Sequence, residues 1–314
     1  MIRNVLASAA LVALASSATA QEDADICQRE LAVLGAGQDA GAPQLGNADD
    51  HGLRLLPSSL ALIDRKEGKR YLFDASPQIT EQLALLDQIE PPKSGLGIDG
   101  IFLTHAHIGH YLGLAYLGRE AANADKVPVY AMPRMAEFLR TNGPWSQLVE
   151  LENIELVELG GGDSLQAVPA SPDLVAVALP VPHRDEFSET VGWIAMTPAR
   201  RTLYMPDLDG WEEWETMIGK SLVEQMAIFD HIFIDATFWD DNELAGRDMS
   251  EIPHPRVTQT MDMLEHLPAS ERAKVHFIHY NHTNPIRDPD SAESKQVRAR
   301  GFNIARRGDR ICLD

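Results

Sequence analysis

Ile101-Phe102-Leu103-Thr104-His105-Ala106-His107-Ile108-Gly109-His110 is the stretch on which the reading of this chain turns. Three apolar residues and a threonine have the character of a buried strand, and they run directly into three imidazoles within six positions. Neutral imidazole is a good ligand for zinc or iron, and three such rings on one loop can converge on a small site. Surface histidines of a polar loop would not sit between so apolar a strand and the equally apolar Tyr111-Leu112-Gly113-Leu114.

On either side, short apolar runs at residues 31–34, 59–63, 71–73, 98–104 and 127–131 read as strands. Helical spacing covers 79–89 and 111–123, and Pro133 opens another helix as a first-turn proline. The second half repeats the style, with strands at 174–180, 191–196, 201–205, 231–234 and 275–279 and helices around 212–229 and 255–267. No Pro/Ser-rich linker divides the chain. The pattern predicts an α/β fold with sheets in the middle and helices outside, as a single domain over residues 27–314. The glycine-rich Gly35-Ala36-Gly37-Gln38-Asp39-Ala40-Gly41 places its third glycine one position late for a dinucleotide-binding loop, and no helical pattern follows it. It reads as a flexible loop.

Residues 1–20 stand apart. Arg3, an almost wholly apolar run over 5–15, and Ala18-Thr19-Ala20 ahead of the acidic Gln21-Glu22-Asp23 predict a secretory signal peptide, too short in its apolar part to span a bilayer. The expected location is periplasmic or secreted, with no stable membrane insertion after cleavage. In an oxidising compartment Cys27 and Cys312 can pair across the ends of the mature chain, or each can serve as a small buried apolar residue. A formal charge of −20 with no basic run argues against nucleic acid as a partner and leaves a small-molecule substrate as the expectation. Nothing in the sequence speaks to oligomeric state.

The histidine stretch resembles the His-x-His-x-Asp-His signature of the metallo-β-lactamase superfamily, and further pieces follow in that family's order. Asp74, ending Tyr71-Leu72-Phe73, resembles its early structural aspartate, and His183, after Leu179-Pro180-Val181-Pro182, its next ligand. Asp207, after Thr202-Leu203-Tyr204-Met205-Pro206, resembles its metal-bridging aspartate, and His279, after Val275-His276-Phe277-Ile278, its last histidine. The resemblance implies an αββα sandwich of two mixed sheets with helices outside. It also implies a first metal held by His105, His107 and His183 with a position open for water, a second held by His110 and His279, and Asp207 between them. The expected cofactor is Zn2+, one or two ions, with iron or manganese as alternatives. Gly109 departs from the signature, which has aspartate there. The second site therefore binds weakly, takes a different metal, or borrows another group, for which Asp185 and Asp209 lie nearby in the chain.

A narrower resemblance rests on Gly41-Ala42-Pro43-Gln44, Asp74-Ala75-Ser76-Pro77, Asp235-Ala236-Thr237-Phe238-Trp239 and His279-Tyr280-Asn281-His282-Thr283-Asn284-Pro285. These are similar to the pyrroloquinoline-quinone biosynthesis protein B branch. That branch carries a cysteine cluster for a structural zinc where this chain has Asn47-Ala48-Asp49-Asp50, and it tends to lack the first signature histidines, which this chain keeps. The order of Asp235-Ala236-Thr237-Phe238, His254, a helix and His279 resembles the transfer-RNA-processing phosphodiesterases of the superfamily, which implies that His254 helps protonate a leaving group. Helix capping beside Pro255 is its alternative role. His282 reads as support for His279 or as part of the catalytic edge. His51, His231, His266 and His276 read as structural.

The implied function is hydrolysis of an ester, lactone, amide or phosphoester by metal-activated water, with Asp207 orienting it and His254 as acid. Two rivals differ in class: an iron oxygenase of the quinone-biosynthesis kind, and a metal-loaded binding protein without turnover.

Overall fold

Alternation along the first strands shows how the layers form. In β1 (Arg29–Gly35), Leu31 and Val33 enter one apolar cluster while Ala32 and Leu34 enter another. In β2 (Ser59–Asp64), Leu60 and Leu62 separate from Ala61 and Ile63 in the same way. Successive side chains leave a strand on opposite faces, so a sheet covered on both sides needs apolar residues at nearly every position. One cluster joins residues of both sheets of the sandwich; the other takes in Ile79, Leu86, Met135 and Leu139 from helices on the outer face of the first sheet.

The computed structural model describes residues 26–160 and 165–314, and the signal-peptide reading of residues 1–20 lies outside them. The first half continues with β3 (Lys69–Phe73), β4 (Gly100–Phe102), β5 (Val127–Ala131) and β6 (Ile154–Glu158). The second contributes β7 (Gln166–Ser171), β8 (Leu174–Pro180), β9 (Val191–Met196), β10 (Arg201–Met205), β11 (His231–Asp235), β12 (Val275–Ile278), β13 (Asn303–Ile304) and β14 (Arg310–Cys312). Two seven-stranded sheets result, ordered β14-β1-β2-β3-β4-β5-β6 and β13-β12-β11-β10-β9-β8-β7. Both are mixed. Pairing is antiparallel from β1 to β3 and from β7 to β10, then parallel from β3 to β6 and from β10 to β13.

The parallel stretches place the site. Asp74 follows β3, Thr104 follows β4, Asp207 follows β10, Asp235 ends β11 and His279 follows β12. Side chains beyond the carboxyl ends of parallel strands gather at one end of a sheet, where open α/β sheets bind their ligands. Below them an aromatic group ties the two sheets together, with ring centroids 4.8 Å apart for Phe102–Trp193 and 5.8 Å for Phe73–Tyr204. Trp193 Nε1 donates to the Leu103 carbonyl at 3.0 Å and the Tyr204 hydroxyl to Asp74 at 3.1 Å. The core is thus bolted to the histidine loop.

Several elements differ from their predicted extent, three of them for reasons visible in the structure. The strand expected over 98–104 narrows to Gly100–Phe102; Leu103 N–H still donates to the Tyr130 carbonyl at 3.1 Å, and the loop begins at Thr104, whose N–H turns to Asp74. The helix expected over 111–123 becomes a single turn, Ile108–Tyr111, and a 3-10 segment, Leu112–Leu117. Gly113 there lies against backbone, and a Cβ on it would meet the Ser76 carbonyl oxygen at 2.1 Å. The helix expected over 212–229 is two, Trp211–Ile218 and Leu222–Met226, divided by Gly219 at φ 72° and restarted by a capping box between Ser221 and Glu224.

Cys27 and Cys312 pair in a disulfide, with Cα atoms 5.6 Å apart across 285 residues of sequence. It sits where β14 joins β1, a ladder also held by the Leu313 N–H to the Arg29 carbonyl (2.8 Å) and by ion pairing of Glu30 with Arg310. Cross-linking residues so far apart mainly restricts the unfolded chain. Replacing both cysteines with serine should lower the unfolding free energy by roughly 2–5 kcal/mol in a denaturant titration, with the native circular dichroism unchanged.

Candidate metal centre

Asp207 is buried beside β10 with imidazoles on several sides. His110 Nε2 lies 3.0 Å from its Oδ2, His279 Nε2 3.2 Å and His105 Nε2 3.4 Å, while His183 Nε2 lies 3.6 Å from Oδ1. Burial alone would raise the Asp207 carboxyl, yet His279, His183, His110 and His105 together hold it well below the ordinary carboxylate range.

Partners behind the rings decide which nitrogen faces inward. His110 Nδ1 donates to Asp74 at 2.7 Å, and His183 Nδ1 to Asp209 at 2.8 Å. His105 Nδ1 donates to the Thr104 hydroxyl at 3.0 Å, which in turn donates to Asp74 at 2.9 Å. His279 Nδ1 donates to the Thr237 hydroxyl at 3.1 Å, which donates to Asp235 at 2.7 Å. In each ring the Nδ1 proton is committed outward and Nε2 is the nitrogen left facing the centre, as in ligating histidines. His107 is turned the other way. Its Nε2 faces Glu186 at 3.4 Å and its Nδ1 faces His183 Nε2 at 3.2 Å.

These contacts pass the test of fit for a cation. Buried His105 Nε2, His110 Nε2, His279 Nε2 and Asp207 Oδ2 have no hydrogen-bond partner. Unpaired buried polar atoms are costly, and four on one point are not an accident of packing. His107 Nδ1 and His183 Nε2 face each other at 3.2 Å, close enough for one cation to take both. His105, His107, His183 and Asp207 form one group whose donor atoms all lie within 4.8 Å of one another; Asp39, His110 and His279 form a second, and Asp207, Asp235 and His254 a third. Histidine with carboxylate suits zinc, iron or manganese.

Protonation follows the same geometry. Burial, with His110 adding to it, pushes His105 well below the ordinary imidazole range, and burial lowers His107 and His279 as well. His110 goes the other way: burial opposes its charge, but Asp74 and Asp207 raise it well above that range. A proton on His110 and a cation are therefore competing ways of neutralising Asp207. His254 donates from Nδ1 to Asp235 at 2.7 Å and lies 3.7 Å from Asp207. Burial opposes its charge too, but Asp235, Asp207 and Asp209 lift it to about 9. The backbone is strained at these points, with φ of 65° at Asp74, 97° at His254 and 63° at His279, each costing on the order of 1–3 kcal/mol.

All the residues singled out in the sequence for this centre, His105, His107, His110, His183, Asp207, His254 and His279, come together. His282 does not join them; its Nδ1 is satisfied by Asn281 at 2.7 Å. His231 and His276 pair with each other at 3.3 Å across β11 and β12. The groups proposed to replace the missing aspartate at 109 are both otherwise engaged, Asp209 with His183 and Asp185 with Arg134 at 2.9 Å on the surface. Sequence reasoning missed Asp39, Thr104, Thr237 and the role of Asp235. The Asp-x-Thr spacing at the end of β11 was the available signal for two of these.

The profile described as Beta-lactamase superfamily domain matches residues 69–280, which carry His105, His107, His110, His183, His254 and His279. The chain belongs to the metallo-β-lactamase superfamily. This superfamily member is 30% identical over 286 residues to coenzyme PQQ synthesis protein B of Pseudomonas fluorescens (strain SBW25), covering 82% of this chain and 87% of that protein. Among solved structures, Zn2+-bound PqqB from Methylobacterium extorquens superposes with a TM-score of 0.70 at 21% identity, over 90% of this chain and 100% of that one. A diphosphatase of the PhnP family superposes with a TM-score of 0.60 at 20% identity, over 91% and 98%. Both share the αββα sandwich of the superfamily.

Asp74 contacts the two strand ends and His110 at once, so Asp74→Asn tests the outer layer of the centre. It should leave the protein folded and weaken metal affinity about 10–100-fold in a competition titration, as the loss of such orienting partners does.

Proposed function

We propose that this protein is an exported metal-dependent hydrolase, with Zn2+ as its cofactor and a small molecule as its substrate. The observation that carries the reading is the convergence of unpaired imidazole nitrogens on Asp207 with His254 beside them in a raised-pKa setting. A divalent cation held by His105, His107, His183 and Asp207 supplies a Lewis acid and lowers the pKa of water toward neutrality.

The chain's own residues provide the remainder. Asp207, ionised and buried, accepts a hydrogen bond from the attacking water and orients it. Asp209, Asp74, Thr104 and Thr237 hold four rings in one tautomer, which keeps the centre preorganised. His254 lines a cleft of about 640 Å³ together with Asp209, Met249, Ile252 and Arg256. With Nδ1 committed to Asp235, it carries a second proton on Nε2 at neutral pH and donates it to the departing oxygen or nitrogen. Esters, lactones, amides and phosphoesters all end in such a leaving group.

A second reading has its own support in the likeness to coenzyme PQQ synthesis protein B. In that reading the same donors hold iron, and the reaction is oxidation of a quinone precursor. Elemental analysis of protein purified without added metal, with assays of chromogenic phosphodiesters, esters and lactones and of oxygen uptake, separates the two. Zinc with hydrolysis supports the first reading; iron with oxygen consumption replaces it. His105→Ala and His107→Ala should each abolish hydrolysis and weaken binding of the metal those residues hold, and retention of activity and metal affinity in both variants would refute the assignment. His254→Ala should lower kcat about 10²–10⁴-fold with metal content unchanged.

Export is part of the proposal. A signal-like segment over 1–20 and a disulfide between Cys27 and Cys312 support it. Intact-mass analysis of protein from an expressing bacterium should give a mature chain beginning at Gln21, recovered from the periplasm or the medium. An intact Met1 in the cytoplasm would sink it.

A further inference from the structure

Gly109 stands where the superfamily signature has aspartate, so the second half of the centre, with His110 and His279, is one carboxylate short within its own loop. The structure brings another carboxylate to that place. Asp39, from the turn after β1, forms a group with His110 and His279 whose donor atoms lie within 4.8 Å of one another. Its Oδ1 is buried and has no hydrogen-bond partner, the same condition as His110 Nε2 and His279 Nε2. We propose that Asp39 is a ligand of the second metal, supplying from a different loop the carboxylate that position 109 lacks. The proposal rests on the metal-hydrolase reading of the centre.

Gly109 and Asp39 belong together for a steric reason. A Cβ built on Gly109 would meet the Asp39 Cα at 2.6 Å, its carbonyl oxygen at 3.0 Å and its Oδ1 at 3.1 Å. Any side chain at 109 would evict the turn that carries Asp39. Glycine at 109 is thus the space into which the replacement ligand fits, and charge is conserved: one carboxylate is lost from the signature loop and one gained from the turn.

The turn is held well enough to serve. Gln38 N–H donates to the Tyr280 carbonyl at 3.1 Å and Tyr280 N–H to the Ala36 carbonyl at 3.1 Å, so the segment is tied to the residue next to His279. Gly41, at φ 71°, closes it with an N–H to the Gln38 carbonyl at 2.7 Å. Asp39 itself sits at φ 34°, a left-handed conformation that aspartate and asparagine tolerate better than most residues and glycine adopts freely.

That conformation selects the test. Asp39→Gly removes the carboxylate without backbone strain, Asp39→Asn removes the charge alone, and Gly109→Ala removes no donor but displaces the turn. Chelator-stripped wild type and variants are titrated with Zn2+ against a competing indicator, with stoichiometry read by elemental analysis and folding by circular dichroism. Wild type should take up two equivalents. Both Asp39 variants and Gly109→Ala should keep one tight equivalent and bind the other at least 10–100-fold more weakly, the scale of a lost supporting group in a metal site. His105→Ala should instead weaken the equivalent that the Asp39 variants retain. Two equivalents of wild-type affinity in the folded Asp39 variants, or a wild type holding only one that Asp39 variants leave unchanged, would overturn the assignment of Asp39. A wild type that binds no Zn2+ would instead remove the metal-hydrolase reading itself.

Discussion

The organisation of the molecule follows from a single buried carboxylate. Asp207 carries negative charge where water cannot reach it, and removing a charge from water is expensive unless opposite charge and hydrogen bonds replace the hydration shell. Here the replacement is a ring of imidazoles, of which burial favours the neutral form at His105, His107 and His279 while the neighbouring carboxylates favour the charged form at His110. Neutral rings supply lone pairs and no compensating charge. Without a cation the charge on Asp207 is offset by a proton on His110, which a cation would displace, and the outward partners of each ring hold its inward nitrogen in place in advance. Function and stability therefore meet at one point: what makes the centre costly without a cation makes it selective for one.

The sandwich is what allows donors from distant parts of the chain to meet. The donors follow strand ends; the parallel portions of both sheets bring those after β4, β10 and β12 to one edge of the sandwich, and His183 joins them from the end of the antiparallel β8. The aromatic bolt of Phe73, Phe102, Trp193 and Tyr204 sets the separation between the sheets. Tyr204 and Trp193 reach from that bolt to Asp74 and Leu103, so a shift in core packing moves the histidine loop with it. Strained backbone at Asp74, His254 and His279 is tolerated because the surrounding ladder and hydrogen bonds over-determine those positions.

Much of this was legible in the residues. Interior strands such as β2 and β8 announce themselves because both of their faces are buried, which demands unbroken apolar runs. The strands that escaped notice, β6, β7, β13 and β14, are the four sheet edges. An edge strand is covered less and can carry Glu155, Glu158, Gln166 and Arg310 along it, so its apolar signal is diluted or absent. The histidine ligand candidates were legible for a different reason: each lies directly after a strong strand signal, in an order that the superfamily shares. The pairing of Cys27 with Cys312 was one of two open readings, since spacing alone cannot measure the distance between strand β14 and strand β1.

Asp39 was not legible, and the reason is instructive about what a sequence motif encodes. A signature such as His-x-His-x-Asp-His records donors that happen to share a loop, whereas a metal responds only to where charge and lone pairs lie in space. The turn over residues 35–41 read as flexible because glycines dominate it. Those glycines in fact mark close approaches: a Cβ on Gly35 would meet the Pro57 carbonyl oxygen at 2.0 Å and one on Gly41 the Leu55 carbonyl oxygen at 2.3 Å. A chain segment pressed that tightly against its neighbours is a fixed support for a side chain. Gly109 read as a lost ligand for the same reason that Asp39 read as a loop residue, because each was judged by its own neighbours in sequence. Taken as a pair they are one feature. An aspartate at 109 would exclude the turn, and the Asp39 carboxylate in that place without a cation would be a buried acceptor with nothing to accept. A side chain at 109 and the Asp39 turn compete for the same space, and a count of ligands confined to the signature loop leaves Asp39 out.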